Sequence, residues 1–317
     1  VKIIAFETRN DESEYFAAVE KEKGIELKLI PQRLTIANKN LLEGFQGVSI
    51  LGHSEVNIEM LDTMKSYGIS RLSTRTIGLN HIDVNYAKSI GIEVTNSTYD
   101  PACVAEFAIM MMLMSLRKYK QAMFRANVND YSLKGLQGKE LKNCKVGIIG
   151  TGGIGLEVIK ILNGFGCEVL AYSPSLKKKN NLGGLASVVD YDALLQESDI
   201  ISLHLPLNDN THHMINQQAI DKMKDGVILI NCSRGGLMDV NGLIRGIETR
   251  KISALALDVF ENESEIYHFD RRLDIISNKD MAYLRQFPNV IMTQHIAFYT
   301  ESSIESMVRV SLDNLTK

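Results

Sequence analysis

Residues 145–155 read KVGIIGTGGIG: an apolar run of strand length that ends in Gly150, Gly152 and Gly155 and continues as the helical pattern LEVIKILNGFG. Each glycine has a separate physical use in such a run. Gly150 permits a tight strand-to-helix turn, Gly152 lets the backbone come close to a bound pyrophosphate, and Gly155 lets the helix pack closely on the strand. The helix start, with Gly153 and Ile154, presents unpaired N–H groups and the positive end of the helix dipole to an anion. A second strand pattern, EVLAYS, follows at 168–173, where the second strand of a dinucleotide-binding βαβ unit belongs. The motif begins near the middle of a 317-residue chain, so a different folded unit must occupy the first half.

That first half alternates short apolar strands with polar helical stretches. Strands are expected at 2–7, 25–30, 47–51, 69–73 and 92–96, and helices near 12–22, 56–67 and 82–90. This is the pattern of a small parallel α/β unit. One long helix is expected over 101–129, entered through Asp100-Pro101 with proline in its first turn. After the linker 133–143, six strands are expected near 145–149, 168–172, 199–203, 227–231, 254–258 and 290–293, the count of a Rossmann domain. The charged stretch 261–288 is the least regular, and a loop and helix close the chain.

Several classes of protein are disfavoured. A net charge of −3 and no basic patch argue against nucleic acid as the main partner. Lys177, Lys178 and Lys179 are the one tight basic run. The longest apolar run, FAIMMMLMSL at 107–116, is too short to span a bilayer and suits a buried helix. VKIIAFETR at the start reads as a strand without a basic n-region or cleavage site, so a cytoplasmic protein is expected. Cys103, Cys144, Cys167 and Cys232 are scattered, with no CxxC and no histidine at ligand spacing. Neither a disulfide framework nor a metal site is expected.

Three polar residues fall just past the ends of late strands: Arg234 after VILINCS, Glu263 after ALALDVFEN and His295 after VIMTQ. Strand carboxyl ends face the ligand crevice in an open α/β sheet, so residues far apart in sequence can meet there. Taken singly, each has a bland reading as a surface ion pair, a solvated acid or a satisfied polar residue. Their shared placement is what points to chemistry.

The blocks STRTIGLNHID (73–83), NSTYDPACVAE (96–106), VGIIGTGGIG (146–155), LHLPLNDNTHHMI (203–215), LINCSRGGLMD (229–239), ALDVFENE (256–263) and TQHIAFYT (293–300) resemble the NAD(P)-dependent D-2-hydroxyacid dehydrogenases along essentially the whole chain. AFYT and STRTIGLNHID are similar to the D-lactate dehydrogenase branch, with the vancomycin-resistance type as the nearest likeness. The resemblance implies a Rossmann-like, flavodoxin-like pair of α/β domains. A substrate domain over 1–99 and 297–317 would be interrupted by a nucleotide-binding domain over 100–296, with a closing cleft between them. It implies reversible reduction of a 2-keto acid to the D-2-hydroxy acid by hydride transfer from NAD(P)H, and a homodimer.

Carried over by position, Arg234 would clamp the keto-acid carboxylate and polarise the carbonyl, its planar fork matching an oxyanion at two points. His295 would be the general acid, and the base in the reverse direction. Glu263 would orient its ring. Ile77 and Gly78 would offer backbone N–H groups to the substrate carboxylate, with Tyr99 facing the substrate. Asp258 and the backbone of Cys232 would lie beside the nicotinamide, and His204 and Pro206 beside the adenosine, with Thr211 and Ala297 as further cofactor contacts. Phe298 and Tyr299 match a cofactor-flanking aromatic pair, and would equally serve as core of the last helix.

Three positions depart from the pattern. Ser173 stands where an acid usually accepts from the ribose 2′-OH, and Ser175 and the three lysines follow, so NADPH should be tolerated or preferred. Gln294 replaces the usual proline before the histidine. Leu51 stands where some D-lactate dehydrogenases carry a tyrosine, so a pocket for keto acids larger than pyruvate is expected. The alternatives are a hydroxyisocaproate-type member of the family, or a dinucleotide-sensing corepressor or scaffold, which would tolerate loss of Arg234, Glu263 and His295. A methyltransferase is disfavoured by the α/β unit that precedes the glycine motif.

Overall fold

The computed structural model describes residues 1–174 and 182–317. In chain order its elements are β1 (Lys2–Phe6), α1 (Ser13–Lys23), β2 (Glu26–Ile30), β3 (Gly47–Ile50), α2 (Ile58–Ser66), β4 (Arg71–Thr74), α3 (Val84–Ser89), β5 (Glu93–Asn96), α4 (Ala102–Leu116), α5 (Tyr119–Ala126), β6 (Lys145–Ile149), α6 (Gly153–Phe165), β7 (Glu168–Tyr172), β8 (Ser187–Val188), α7 (Tyr191–Glu197), β9 (Ile200–Leu203), α8 (Gln217–Lys222), β10 (Val227–Asn231), α9 (Val240–Glu248), β11 (Ile252–Leu257), α10 (Lys279–Gln286), β12 (Val290–Met292) and α11 (Glu301–Thr316). Two compact units result, one of residues 1–100 with 299–317 and one of residues 101–298.

The first unit is a parallel five-stranded sheet in the order β2-β1-β3-β4-β5. One side buries Ile4, Phe6, Val48, Ile50 and Leu72 against Met60, Leu61 and Met64 of α2. On the other side Ile3 and Ala5 meet Phe16 and Val19 of α1 and Val308, Leu312 and Leu315 of α11. Apolar residues on both faces of a strand are what burial between two helical layers requires. A fully buried ion pair also sits here. Arg75 Nε donates to Glu12 Oε1 at 2.9 Å, and its other nitrogens donate to Ser49 Oγ and the Phe6 carbonyl, each at 2.9 Å. With both charges satisfied the pair holds the start of the loop after β4; removing one partner alone from such a pair typically costs about 3–5 kcal/mol.

The second unit is a parallel seven-stranded sheet in the order β12-β11-β10-β9-β6-β7-β8. Strand order reverses between β9 and β6, which places a topological switch point at the carboxyl end of β6. Seven strands form where six were expected, because the Ser187–Val188 pair adds a two-residue edge strand on β7. Such a short stretch carries no periodic signal.

The expected helix 101–129 is broken in two. Lys118 takes a left-handed conformation (φ 51°) between α4 and α5. The apolar pattern ends at Leu116, whose carbonyl accepts from Lys139 of the returning linker at 3.3 Å, so the backbone group freed by the break is satisfied from outside. Among the described residues no helix is long and apolar enough to cross a membrane.

Candidate active site

The glycine turn forms at the carboxyl end of β6. Gly150 has φ of +101°, and a methyl group there would run into the His204 carbonyl. A methyl on Gly155 would collide with the Gly150 carbonyl, so the first turn of α6 lies directly on the end of β6. A methyl on Gly152, by contrast, would meet nothing within 4 Å. Tight protein on two sides and open space at the middle glycine form a cradle suited to a pyrophosphate, with the N–H groups of Gly153 and Ile154 at the helix start. The chain therefore fits a dinucleotide on its own geometry.

Beneath this turn His204 is buried. Its Nε2 lies 2.9 Å from Ser202 Oγ, while its Nδ1 is buried without a hydrogen-bond partner. Burial pushes its pKa down to about 4, so the ring is neutral near pH 7. The ordinary value is 6.5. Above that pH both folded and unfolded chains hold a neutral ring; below it the unfolded chain takes up a proton that the folded chain refuses until about pH 4. The associated stability is fully present above pH 6.5 and lost as pH falls towards 4, amounting to about 3 kcal/mol. Urea unfolding between pH 7 and pH 4.5 should therefore show a steeper loss of stability for the wild type than for His204→Asn; parallel curves would refute the assignment.

The three chemistry-bearing residues lie at the ends of neighbouring strands. Arg234 follows β10, Glu263 follows β11 and His295 follows β12, and these strands are adjacent and parallel. Glu263 Oε1 lies 2.5 Å from His295 Nδ1, and its other oxygen accepts from the Phe260 N–H. With Nδ1 engaged, Nε2 is the ring nitrogen that can meet a substrate. Both groups keep partial access, at 30% for His295 and 19% for Glu263, which a proton exchanger needs.

Buried residues fix this geometry. Asp258 is fully buried, and its carboxylate accepts from Thr293 Oγ1 (2.6 Å), Ile296 N (2.9 Å) and Ala297 N (2.8 Å), while its carbonyl accepts from His295 N (2.7 Å). It thus holds the whole turn around the histidine, where His295 itself has a left-handed φ of 55°. Asn231 does the same for the arginine: its amide donates to the Arg234 carbonyl and its oxygen accepts from Ser233 N, both at 2.9 Å. Asn231 carries no sequence signal of this role beyond its place at a strand end. Asp258, expected beside the nicotinamide, takes this second part as organiser of the turn.

The other expected residues distribute as follows. Cys232 is buried directly after β10, and burial raises its thiol pKa well above the ordinary range. Thr211 Oγ1 donates to the Pro206 carbonyl at 2.7 Å and shapes the loop after β9. Ser173 directly follows β7 and is buried; Ser175 and Lys177–Lys179 lie outside the described residues. Phe298 lies edge-on to the His295 ring, with centroids 6.3 Å apart.

Within the first unit, Leu51, Ile77, Gly78 and Tyr99 follow the neighbouring strands β3, β4 and β5. Tyr299, in the same unit, lies under the Arg9 guanidinium at 5.3 Å. Glu7, which sequence reasoning missed, organises the Leu51 loop. Its carboxylate accepts from Leu51 N (3.3 Å), His53 N (2.9 Å) and Ser54 Oγ. Burial works to raise its pKa, but the bonds from His53 and Ser54 and the charge of Arg75 outweigh it and the net shift is downward.

Comparison with known proteins agrees with this architecture. Residues 109–297 match the family model for the D-isomer specific 2-hydroxyacid dehydrogenase NAD binding domain. The chain is 39% identical over 320 residues to an aromatic 2-oxoacid reductase of Clostridium sporogenes, covering 99% of this chain and 95% of the relative. It is 33% identical over 317 residues to a D-lactate dehydrogenase of Escherichia coli, covering 100% and 96%. The solved structure of a D-2-hydroxyisocaproate dehydrogenase superposes with a TM-score of 0.90 at 33% identity, covering 100% and 96%. The chain belongs to the D-isomer specific 2-hydroxyacid dehydrogenase family. It is an NAD-dependent oxidoreductase that reduces a 2-keto acid to the D-2-hydroxy acid.

Proposed function

We propose that this enzyme accepts 2-keto acids larger than pyruvate as well as pyruvate itself, with Arg234, Glu263 and His295 as its catalytic set. The observation that carries the reading is the 2.5 Å Glu263–His295 contact on strand ends beside the one bearing Arg234. When bound, the reduced nicotinamide supplies the hydride that goes to C2 of the keto acid. Arg234 holds the carboxylate and draws charge from the carbonyl. His295 gives the proton on Nε2 to the carbonyl oxygen, and Glu263 keeps the ring oriented and offsets the charge it carries beforehand. In the reverse direction the same nitrogen takes the proton from the hydroxyl.

Ile77 and Gly78 are proposed to bind the substrate carboxylate through their N–H groups. Their carbonyls already accept from Asn96 Nδ2 (2.8 Å) and Thr76 Oγ1 (2.7 Å), while their N–H groups have no acceptor among the described residues. Tyr99 and Leu51 set the side-chain pocket. The aliphatic Leu51, and the aromatic 2-oxoacid named for the Clostridium sporogenes relative, support a pocket wider than a methyl group needs.

For the cofactor, Gly150, Gly152, Gly153, Ile154 and Gly155 are proposed to take the pyrophosphate. His204, Pro206 and Thr211 are assigned to the adenosine side, and Cys232, Asp258 and Ala297 to the nicotinamide side. Ser173 places no carboxylate against a 2′-phosphate, which supports use of NADPH alongside NADH. The exposed apolar side chains Tyr119, Met123, Phe124, Val128, Tyr131 and Leu133 support a homodimer, and a cytoplasmic location is proposed with it.

One matrix of assays tests these points: kcat/KM for pyruvate, 2-ketoisocaproate and phenylpyruvate with NADH and with NADPH, and the chirality of each product. The expected result is D-product throughout, the larger acids turned over at least as well as pyruvate, and NADPH within about tenfold of NADH, a difference of no more than about 1.4 kcal/mol. No turnover or an L-product would overturn the reaction. Rejection of the larger acids would overturn the role of Leu51, and strong NADH preference that of Ser173.

A further inference from the structure

The residue after β1 is a nearly buried carboxylate that carries several bonds at once. Glu7 keeps only 9% of its side chain exposed and takes a left-handed φ of 56°, a conformation that residues other than glycine rarely adopt. Its N–H donates to the Gln32 carbonyl at 3.0 Å, and its own carbonyl accepts from Arg75 at 3.2 Å. With the backbone held on both sides, the carboxylate reaches the loop after β3. There Oε1 accepts from Leu51 N at 3.3 Å and from Ser54 Oγ. The other oxygen accepts from His53 N at 2.9 Å, with His53 Nδ1 at 3.4 Å.

We propose that Glu7 is a positioning residue that sets which 2-keto acids the enzyme prefers, by fixing Leu51 in the wall of the side-chain pocket. The proposal rests on the pocket reading of Leu51 given above. Among the described residues no N–H from 51 to 55 donates to a backbone carbonyl. Glu7 therefore supplies the anchoring that a strand or helix would otherwise give this stretch. Ser54 extends the anchor, since its Oγ also accepts from Leu34 N at 2.9 Å. The adjoining loop after β4 is tied in as well: Arg75 N donates to the Ile50 carbonyl at 2.8 Å.

The bonds require a carboxylate. Its two oxygens can accept from several donors together, whereas a glutamine offers one oxygen and would turn an NH2 donor towards N–H groups. Burial works to raise the Glu7 pKa, but the bonds from His53 and Ser54 outweigh it, so the group is ionised near neutral pH. Pyruvate carries only a methyl group, which leaves the pocket wall untouched. An isobutyl or benzyl group reaches further, so a displaced wall is felt by the larger acids first.

The experiment is steady-state kinetics of Glu7→Gln, Leu51→Ala and the double variant with pyruvate, 2-ketoisocaproate and phenylpyruvate at saturating NADH. Glu7→Gln should lower kcat/KM for the two larger acids relative to pyruvate by about tenfold, the lower end of what a methylene-sized misfit in an apolar pocket is worth. The loss should fall on KM, because contacts with the wall are made alike in the ground and transition states. A merely structural defect would scale kcat for all three acids by one factor and leave their ratios unmoved. Ser54→Ala removes one small hydroxyl and should shift the ratio in the same direction, which covers a failure of Glu7→Gln to fold. Leu51→Ala should change the ratio by itself, and adding Glu7→Gln to it should contribute less than about twofold, since residues that act through one another are not additive. If Leu51→Ala shifts the ratio while Glu7→Gln and Ser54→Ala leave it unmoved, or if the effects multiply fully, the proposal is overturned and the pocket reading stands. If Leu51→Ala itself leaves the ratio unmoved, the pocket reading falls and the proposal with it.

Discussion

Replacing His295 with glutamine is expected to lower kcat for keto-acid reduction by about 10²–10⁴-fold, the usual worth of a positioned general acid, while leaving NADH binding intact. The geometry separates the two effects. His295 projects from the turn after β12, whereas the glycine cradle lies after β6, four strands along the sheet, beyond β11, β10 and β9. Glutamine can keep a hydrogen bond to Glu263, so the turn held by Asp258 should survive. What it cannot do is deliver a proton from the atom that replaces Nε2. Fluorescence titration with NADH and steady-state kinetics on the same preparation check both halves. Turnover within a few-fold of wild type would remove His295 from the proton step, and loss of NADH binding would show that the substitution had disturbed the fold instead.

Much of this was legible in the sequence because the responsible patterns are local. The strand, glycine turn and helix are specified by the consecutive residues 145–165, and parallel strands buried on both faces announce themselves as short apolar runs. The positions of Arg234, Glu263 and His295 follow from where such runs end. The supports of the site were not legible, because their partners are remote. Asp258 joins a turn 35 to 39 residues away, and Arg75 pairs with Glu12 across 63 residues. A buried polar residue looks the same in sequence whether its partners are protein or ligand; only coordinates show that Glu7 serves the Leu51 loop. The break at Lys118 was hidden for the converse reason. Its cause is the linker that returns to the Leu116 carbonyl, whereas the local pattern of 101–129 favours an unbroken helix.

Gly235→Ala is expected to lower kcat/KM by about 10²-fold. A Cβ at Gly235 would overlap the Phe260 carbonyl and the Glu261 nitrogen, all backbone atoms with no side-chain freedom to yield. The displaced segment carries the Phe260 N–H that binds Glu263, and Glu263 in turn orients His295. On the other side of the same contact stands Arg234. One methyl therefore pushes both halves of the proposed catalytic set, and a misplacement of about 1 Å is enough for roughly 10²-fold in rate. Overpacking should also lower stability by about 1–3 kcal/mol. Gly164→Ala supplies the control: it lies in α6 with nothing within 4 Å of its added carbon, and should leave kcat/KM unchanged while stabilising the fold by about 0.5–1 kcal/mol. Thermal unfolding and kcat/KM for both variants decide the matter. If Gly235→Ala kept full activity, the loops after β10 and β11 could not be rigidly coupled through this backbone approach.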